Sequence, residues 1–358
     1  MTDQLQRPAS GVDRTRAAIW RGGDKVALES VTVPPLQAGE VLVQVDLATV
    51  CGSDRHTVSG RRAQPCPSIL GHETVGRIVA FGDSTTMHSV DGRPLEVGQR
   101  VIWSETLPCG ACDRCLSGVS AKCRTVRKVG HESFESGWAL SGGYAEHVLL
   151  PKGMPIALVG DEVSDDVAAP AACATATVMA VVERAMPLAG KRVVVIGAGM
   201  LGLTALAAAA ASDASAVTAV DPAAERRAMA KRFGATAVVA SITEVDQCDV
   251  LIELSGKAAA LQEGLGKLDV QGVAVFAGSV APDGDIAVDP EAVVRRHLSF
   301  FGVHNYEPRH LIQALTFLEQ TTGRFPWSDL VADPVPLDQI SDLLIGAPGP
   351  KPRYSIAP

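Results

Sequence analysis

Arg192 to Asp221 reads RVVVIGAGMLGLTALAAAAASDASAVTAVD, and this stretch decides the fold. A β-branched run leads into Gly197-Ala198-Gly199-Met200-Leu201-Gly202, an alanine-rich helix follows, and a second apolar run, Ala216 to Val220, ends on Asp221. Strand, GxGxxG, helix, strand and acid in that order make up the dinucleotide fingerprint with the flanks that give it meaning. Gly197 makes the tight turn, Gly199 admits the pyrophosphate to the backbone, and Gly202 lets helix and strand pack closely. The helix that opens at Met200 and Leu201 offers free N–H groups to phosphates. Asp221 accepts from the adenosine ribose hydroxyls and repels a 2′-phosphate, so NAD is expected over NADP. Arg226 and Arg227 weaken that preference, because a nearby Arg accommodates a phosphate; solvation of a helix surface is the plainer reading of the pair.

Downstream, helical and strand patterns keep alternating: Ala223 to Phe233, a strand near Ala237 to Val239, Asp249 to Leu254, a helix from Ala258 to Leu268, Gly272 to Ala277, and Leu298 to Val303. Such alternation implies a doubly wound parallel sheet. Upstream of Cys173 the chain is β-rich instead, with runs at Ala17 to Trp20, Val26 to Val33, Val41 to Leu47, Ile69 to Phe81 and Gln99 to Ser104 punctuated by glycine and proline. A chain of 358 residues exceeds what one core sustains, so two domains are expected. The expected fold class is α/β: a β-rich catalytic domain over 1–172, a Rossmann domain over 173–305, and a return of 306–358 to the first domain.

The net charge of -8 and a pI near 5.5 exclude a basic field for nucleic acid or an acidic membrane. The opening MTDQLQRPASGVDRTR lacks the apolar core of a signal peptide and reads as a polar arm. The most apolar helical run, Met200 to Ala211, is shorter than the ~20 residues of a membrane span. A cytoplasmic protein with no membrane partner is expected.

Without a secretory signal, closely spaced cysteines read as metal ligands before they read as disulfides. Cys109, Cys112, Cys115 and Cys123 form C-x2-C-x2-C-x7-C, four sulfurs with no spare ligand, which describes a closed structural zinc site. An iron–sulfur cluster and a redox-active CxxC use the same residues. A second constellation lies in Cys51 to Glu73, CGSDRHTVSGRRAQPCPSILGHE. Cys51, His72 and Glu73 are zinc-suited ligand types on loops at strand ends, and Ser53 and His56 between them can pass a proton. A catalytic zinc takes three protein ligands and keeps one position open; Cys173 is the candidate for the third. Taken singly, Cys51 and Cys173 are more commonly ordinary buried cysteines and His72 a hydrogen-bonded core histidine.

With these pieces in order, the chain resembles the zinc-dependent medium-chain alcohol dehydrogenases over nearly its whole length. The matching motifs are Cys51-Gly-Ser-Asp-Arg-His56, Gly71-His-Glu73, the four-cysteine lobe at about 104–124, Gly143-Tyr-Ala-Glu146, Cys173 and the Gly197 to Gly202 fingerprint. The resemblance implies a GroES-like N-terminal domain, two zinc ions per chain, and assembly as a homodimer or homotetramer. It makes Cys51, His72 and Cys173 the catalytic zinc ligands and Glu73 an acidic neighbour that approaches the metal. Asp54 would orient His72, and Ser53 and His56 would relay the proton that leaves an alcohol acidified by zinc. Thr177 would contact the nicotinamide and Arg353 the pyrophosphate. Gly52 stands where some relatives carry a phosphate-binding Arg.

Counting along the same motifs, Arg62, Glu105 and Lys128 fall at positions that wall the substrate pocket in relatives, with Arg61, Arg127 and His131 beside them. A cationic pocket favours a small-molecule substrate bearing phosphonate, phosphate or carboxylate. The neighbourhoods of Arg62 and Lys128 also resemble alcohol dehydrogenases associated with phosphonate metabolism. Arg61 and Arg62 read equally as a solvated loop face paired with Glu105 or Asp54. A neutral polyol or amino-alcohol substrate is the alternative within enzymes. A non-catalytic NAD-binding protein is the alternative outside them, although binding NAD alone requires none of Cys51, Ser53, His56, His72 and Cys173.

Overall fold

The computed structural model describes residues 11–83, 86–347 and 349–358. Most of the polar arm expected at the start lies outside the described residues. The chain divides into two compact units, Met1–Cys173 with Glu307–Glu319 and Ser328–Pro358, and Ala174–Tyr306 with Gln320–Trp327.

In the first unit, Val41–Val50 is buried at almost every position and therefore sits inside a sheet rather than at its edge. The spatial order is Ile156–Leu158, Arg100–Trp103, Glu73–Phe81, Val41–Val50, Tyr354–Ala357 and Val335–Pro336, with His147–Leu150 also pairing with Val41–Val50. The register sets Thr49 opposite Glu73 and Val50 opposite Tyr354, so the residue after Val50 meets the residue before Tyr354. A smaller antiparallel sheet joins Val26–Thr32, Arg14–Trp20 and Ser68–Ile69. Trp103, Trp138, Tyr144, Leu42 and Ile69 are fully buried in the core.

The second unit holds one parallel sheet in the order Ala237–Val239, Ala216–Val220, Arg192–Ile196, Cys248–Glu253, Leu268–Phe276, Ser299–Gly302. That order reverses between Arg192–Ile196 and Cys248–Glu253, the switch point at which doubly wound sheets bind ligands beyond their carboxyl ends. The helix Ala258–Gly266 ends before Leu268, which is already the first residue of a strand paired with Cys248.

The observed boundaries depart from the sequence reading at three points, the smallest being Tyr306, which closes a stretch of the second unit instead of opening the return. Cys173 closes the first unit instead of opening the second. Gln320–Trp327, expected to return with the rest of 306–358, belongs to the second unit because Phe325 and Trp327 pack on Phe233 at ring-centroid distances of 6.0 and 5.2 Å. Arg324 adds a 2.8 Å hydrogen bond to the carbonyl of Ala210. Helices without a counterpart in the sequence reading include Gly52–Val58, Pro290–Arg296 and Arg309–Thr321. The second of these carries a legible start, with Asp289 capping the N–H of Glu291 and proline in the first turn. Among the described residues, Asp165–Ala185 is the helical stretch long and apolar enough to cross a membrane, and 83% of its apolar window is buried inside the protein; Met200–Ala211 is shorter.

Replacing Phe233 with Ala empties a fully buried aromatic site and is expected to destabilise the second unit by about 3–5 kcal/mol. Urea unfolding followed by circular dichroism measures this; an unchanged midpoint would mean that 320–327 is held by something other than these rings.

Candidate active site

Cys51 is the N-cap of the helix Gly52–Val58, and its backbone N–H donates to Asp54 Oδ2 at 3.0 Å. His72 precedes the strand Glu73–Phe81 and follows Gly71, whose φ of +97° and contact with the Tyr144 ring leave no place for a side chain. Cys173 lies in the π-helical turn Ala171–Thr175 that interrupts the long apolar helix, the kind of widened turn often found at functional sites. Ligand atoms of Cys51, His72, Glu73 and Cys173 all lie within 4.8 Å of one another.

Asp54 is buried and organises this group. Its Oδ2 also accepts from the Tyr144 hydroxyl at 2.9 Å, and its Oδ1 stands 3.3 Å from His72 Nδ1, near enough to pair but without hydrogen-bond alignment. With Nδ1 turned to Asp54, His72 Nε2 faces Ser53 Oγ at 3.3 Å. Burial disfavours the charged imidazole, yet Asp54 and Cys51 outweigh it and raise the His72 pKa. The two cysteines diverge: a hydrogen bond from Cys173 holds Cys51 well below the usual thiol range, and the same bond together with burial pushes Cys173 up. Two sulfurs and a carboxylate this close cannot all carry negative charge without a cation among them. Two thiolates and an imidazole are a zinc donor set, and the residues present fit the ion.

Glu73 is more firmly tied than expected. Its oxygens accept from Arg353 Nε and Nη2 at 2.7 and 2.8 Å and from Thr49 Oγ1 at 2.6 Å. Burial pushes its pKa up to about 7, with Arg353 opposing. Arg353 was expected at a pyrophosphate. In the structure it is a buried partner of Glu73, with Nη2 3.6 Å from Cys51 Sγ, because the pairing of Tyr354–Ala357 with Val41–Val50 delivers it there. A guanidinium taken out of water needs such a carboxylate.

Ser53 is half-buried, whereas His56 is exposed one turn further along the same helix. Lys128 is half-buried in Arg127–Lys128, which pairs with Thr106–Leu107. Burial lowers its pKa, Glu105 and Cys173 oppose that, and Arg62 reinforces it, which places all four side chains in one electrostatic neighbourhood. Arg127 does not join it: its guanidinium binds Glu132 and lies over Trp138. His131 Nδ1 contacts the Val129 carbonyl at 2.7 Å, and its ring stands 5.4 Å from that of His72. Burial and the neighbouring His72 push its pKa down to about 4. Asp54 is already taken up by Cys51, His72 and Tyr144, which leaves Glu105 as the acid of the cationic group. Thr49 and Tyr144 were missed in the sequence; the only signal was the position of Tyr144 inside Gly143-Tyr-Ala-Glu146.

In the four-cysteine lobe, Sγ–Sγ distances are 3.5 Å for Cys112–Cys115, 3.9 Å for Cys112–Cys123 and 4.0 Å for Cys109–Cys115. A tetrahedron of ~2.3 Å zinc–sulfur bonds has edges of about 3.8 Å, so the cage has the size of one ion. Backbone N–H groups of Cys109, Cys112 and Thr125 point at these sulfurs. Cys109 and Cys112 are lowered by such donors, while burial and its neighbours push Cys115 up to about 12, as expected of crowded thiols sharing too little positive charge. Cys66 is exposed and Cys248 is buried, its pKa pushed up to about 12; neither belongs to a metal-type cluster among the described residues.

In the second unit, Gly197 has φ +95°, and a Cβ on Gly202 would lie 1.8 Å from the Gly197 carbonyl oxygen. Gly199, the N-cap of Met200–Ala211, has open space where its Cβ would be. Met200 is buried and Leu201 half-buried at the first positions of that helix. Asp221 is buried, and its two oxygens accept from the N–H groups of Ala198 and Ala223, each at 2.9 Å, which ties the glycine turn to the end of the neighbouring strand. Arg226 is 62% exposed and lies 3.7 Å from Asp221, while Arg227 is spent on the carbonyls of Asp221 and Pro222. Thr177 is buried in the first turn of Ala176–Ala185.

Residues 37–161 match the family Alcohol dehydrogenase GroES-like domain, and residues 201–320 match Zinc-binding dehydrogenase. The 5-exo-hydroxycamphor dehydrogenase of Pseudomonas putida is 30% identical over 345 residues, 92% of this chain and 94% of that one. The L-threonine 3-dehydrogenase of Chelativorans sp. (strain BNC1) is 29% identical over 298 residues, 78% of this chain and 80% of its own. An alcohol dehydrogenase from Thermotoga maritima matches in structure with a TM-score of 0.87 at 24% identity, over 96% of this chain and 99% of the other. A GroES-like unit and a Rossmann unit in one chain, with two clusters of zinc-type ligands, define a zinc-binding nicotinamide-dependent dehydrogenase. The chain belongs to the medium-chain, zinc-type alcohol dehydrogenase family and is an NAD(P)-linked alcohol dehydrogenase, with zinc and a nicotinamide dinucleotide as its cofactors.

Elemental analysis of the purified protein is expected to give about two zinc ions per chain, falling to about one in Cys112→Ser, since a closed site tolerates no missing ligand. One ion or fewer in the parent would overturn the two-centre reading. In the glycine turn, Gly202→Ala should cost about 1–3 kcal/mol through overpacking, whereas Gly199→Ala should leave thermal stability within about 0.5 kcal/mol and weaken NAD binding. Thermal scans with dinucleotide titration separate the two; equal behaviour of both variants would refute the division of roles.

Proposed function

We propose that this dehydrogenase interconverts a small alcohol bearing an anionic group, phosphonate, phosphate or carboxylate, with its aldehyde or ketone, using NAD. The carrying observation is geometric: Lys128 lies three residues before His131, whose ring stands 5.4 Å from that of His72, and His72 converges with Cys51 and Cys173 within 4.8 Å, while Arg62 and Cys173 both act electrostatically on Lys128. A half-buried lysine whose charge is already disfavoured by burial gains from an incoming anion, and a guanidinium engages phosphate or carboxylate through two hydrogen bonds.

In this reading Cys51, His72 and Cys173 hold the catalytic zinc, and Cys109, Cys112, Cys115 and Cys123 the structural one. Zinc, when bound, supplies the Lewis acidity that makes an alcohol a proton donor near neutral pH. Asp54 holds the His72 ring with Nε2 outward. Ser53 Oγ, 3.3 Å from that nitrogen, would accept the alcohol's proton as it releases its own, and His56, exposed on the next turn, would take up the released proton and hand it to water. Glu73 and Arg353 form a buried ion pair behind Cys51 that keeps the sulfur side of the site polar. Gly197 to Gly202 receive the dinucleotide pyrophosphate, and Asp221 faces the adenosine ribose, which selects NAD over NADP. A cytoplasmic homodimer or homotetramer completes the proposal. The strand Ser299–Gly302 at the end of its sheet, with Val294 nearby 72% exposed, supports the assembly.

An amino alcohol is the second reading: Glu105 stands by Lys128, and relatives at 27–29% identity are L-threonine 3-dehydrogenases. A substrate screen with NAD that compares neutral diols, amino alcohols and phosphonate or carboxylate alcohols distinguishes them. On the anionic reading, Arg62→Ala raises KM for anionic alcohols roughly 10- to 100-fold, the worth of a charge-assisted hydrogen bond, and leaves KM for ethanol unchanged. Equal losses on both would sink it.

A further inference from the structure

Beyond the fingerprint, the carboxyl edge of the parallel sheet carries a second construction that the dinucleotide motif does not describe. Glu253 ends the strand Cys248–Glu253 and is fully buried. Its Oε1 accepts from the backbone N–H groups of Ser255 and Gly256, both at 2.6 Å, and from Ser255 Oγ at 2.9 Å; its Oε2 accepts from Ser279 Oγ at 3.1 Å. Its own carbonyl accepts from the N–H groups of Ala277 and Gly278. One residue therefore ties together the loops that follow two adjacent strands.

These loops are pressed backbone to backbone. A Cβ on Gly278 would lie 2.5 Å from the Leu254 carbonyl carbon, one on Gly256 would lie 2.8 Å from the Gly278 oxygen, and one on Gly197 would lie 2.9 Å from Ser255 N. The Gly197 turn, Leu254–Gly256 and Gly278–Ser279 are thus one interlocked rim at the switch point of the sheet. A doubly wound sheet is two mononucleotide-binding halves, and the adenosine half here carries Asp221. The rim held by Glu253 is the other half.

We propose that Glu253 is a positioning residue for the nicotinamide mononucleotide half of the cofactor: it sets the two loops against which that half lies and makes no contact with adenosine. The inference rests on the dinucleotide occupying the carboxyl edge of this sheet, and it adds a division of labour between Asp221 and Glu253. A carboxylate suits the task because it accepts all four hydrogen bonds at once. Methionine has a similar size and accepts none of them well, leaving buried N–H donors unpaired. Glutamine can still accept at Oε1 and can donate its amide to Ser279.

The test is calorimetric titration of the zinc-loaded, full-length protein with NAD and, separately, with AMP. Glu253→Met is expected to raise the Kd for NAD tenfold or more and to leave the Kd for AMP within about twofold, while Glu253→Gln stays close to the parent for both, as the hydrogen-bond count requires. Ser279→Ala removes a single hydrogen bond and keeps the inference testable if Glu253→Met does not fold; it should weaken NAD a few-fold and AMP not at all. Equal weakening of NAD and AMP, or no weakening of NAD in either variant, overturns the proposal. A parent protein that binds neither ligand would refute the cofactor site itself, a distinct result.

Discussion

Crowding the sulfurs of two half-buried cysteines and a buried carboxylate within 4.8 Å of one another, with an imidazole beside them, is a constraint that the whole first unit answers. Like charges at that distance, away from water, must be protonated apart or neutralised by cations. The chain does both in part. Cys173 is pushed toward its thiol and Cys51 toward its thiolate, while Arg353 neutralises Glu73 through two hydrogen bonds. What remains is a donor set of zinc character, its imidazole aimed by Asp54, which is itself held by Tyr144 and the Cys51 backbone.

The scaffold explains why these groups stay in place. Val41–Val50 is the strand on which the site is assembled: it ends at Cys51, lies opposite Glu73 through Thr49, and is flanked by the C-terminal strand that brings Arg353. Residues separated by some 300 positions in the chain share one strand end for that reason. The same economy appears in the second unit, where Asp221 and Glu253 each sit at a strand end and each spend a carboxylate on backbone N–H groups of a neighbouring loop. Both residues organise backbone first, and any ligand finds the loops already set.

Much of this was legible locally. Steric demands at Gly197 and Gly202 are properties of one turn and one helix, and four cysteines within fifteen residues can close on an ion with little help from the rest of the chain. The pairing of Arg353 with Glu73 was not legible because nothing near either residue in sequence announces the other; it is set by a strand pairing. Gln320–Trp327 was placed in the wrong unit because aromatic residues advertise burial without saying against what, and here Phe233 supplies the surface. Glu253 carried no signal, since a single acid at the end of an apolar run is commonplace.

The sequence by itself determined the two architectures, the glycine turn and the four-cysteine cluster, because periodicity, glycine geometry and ligand spacing act over a few residues at a time. Tertiary structure alone decided which charges pair, where the units divide and which residues hold the ligands in position. Those outcomes depend on strand register and burial, through which a residue acquires neighbours that its place in the chain does not specify.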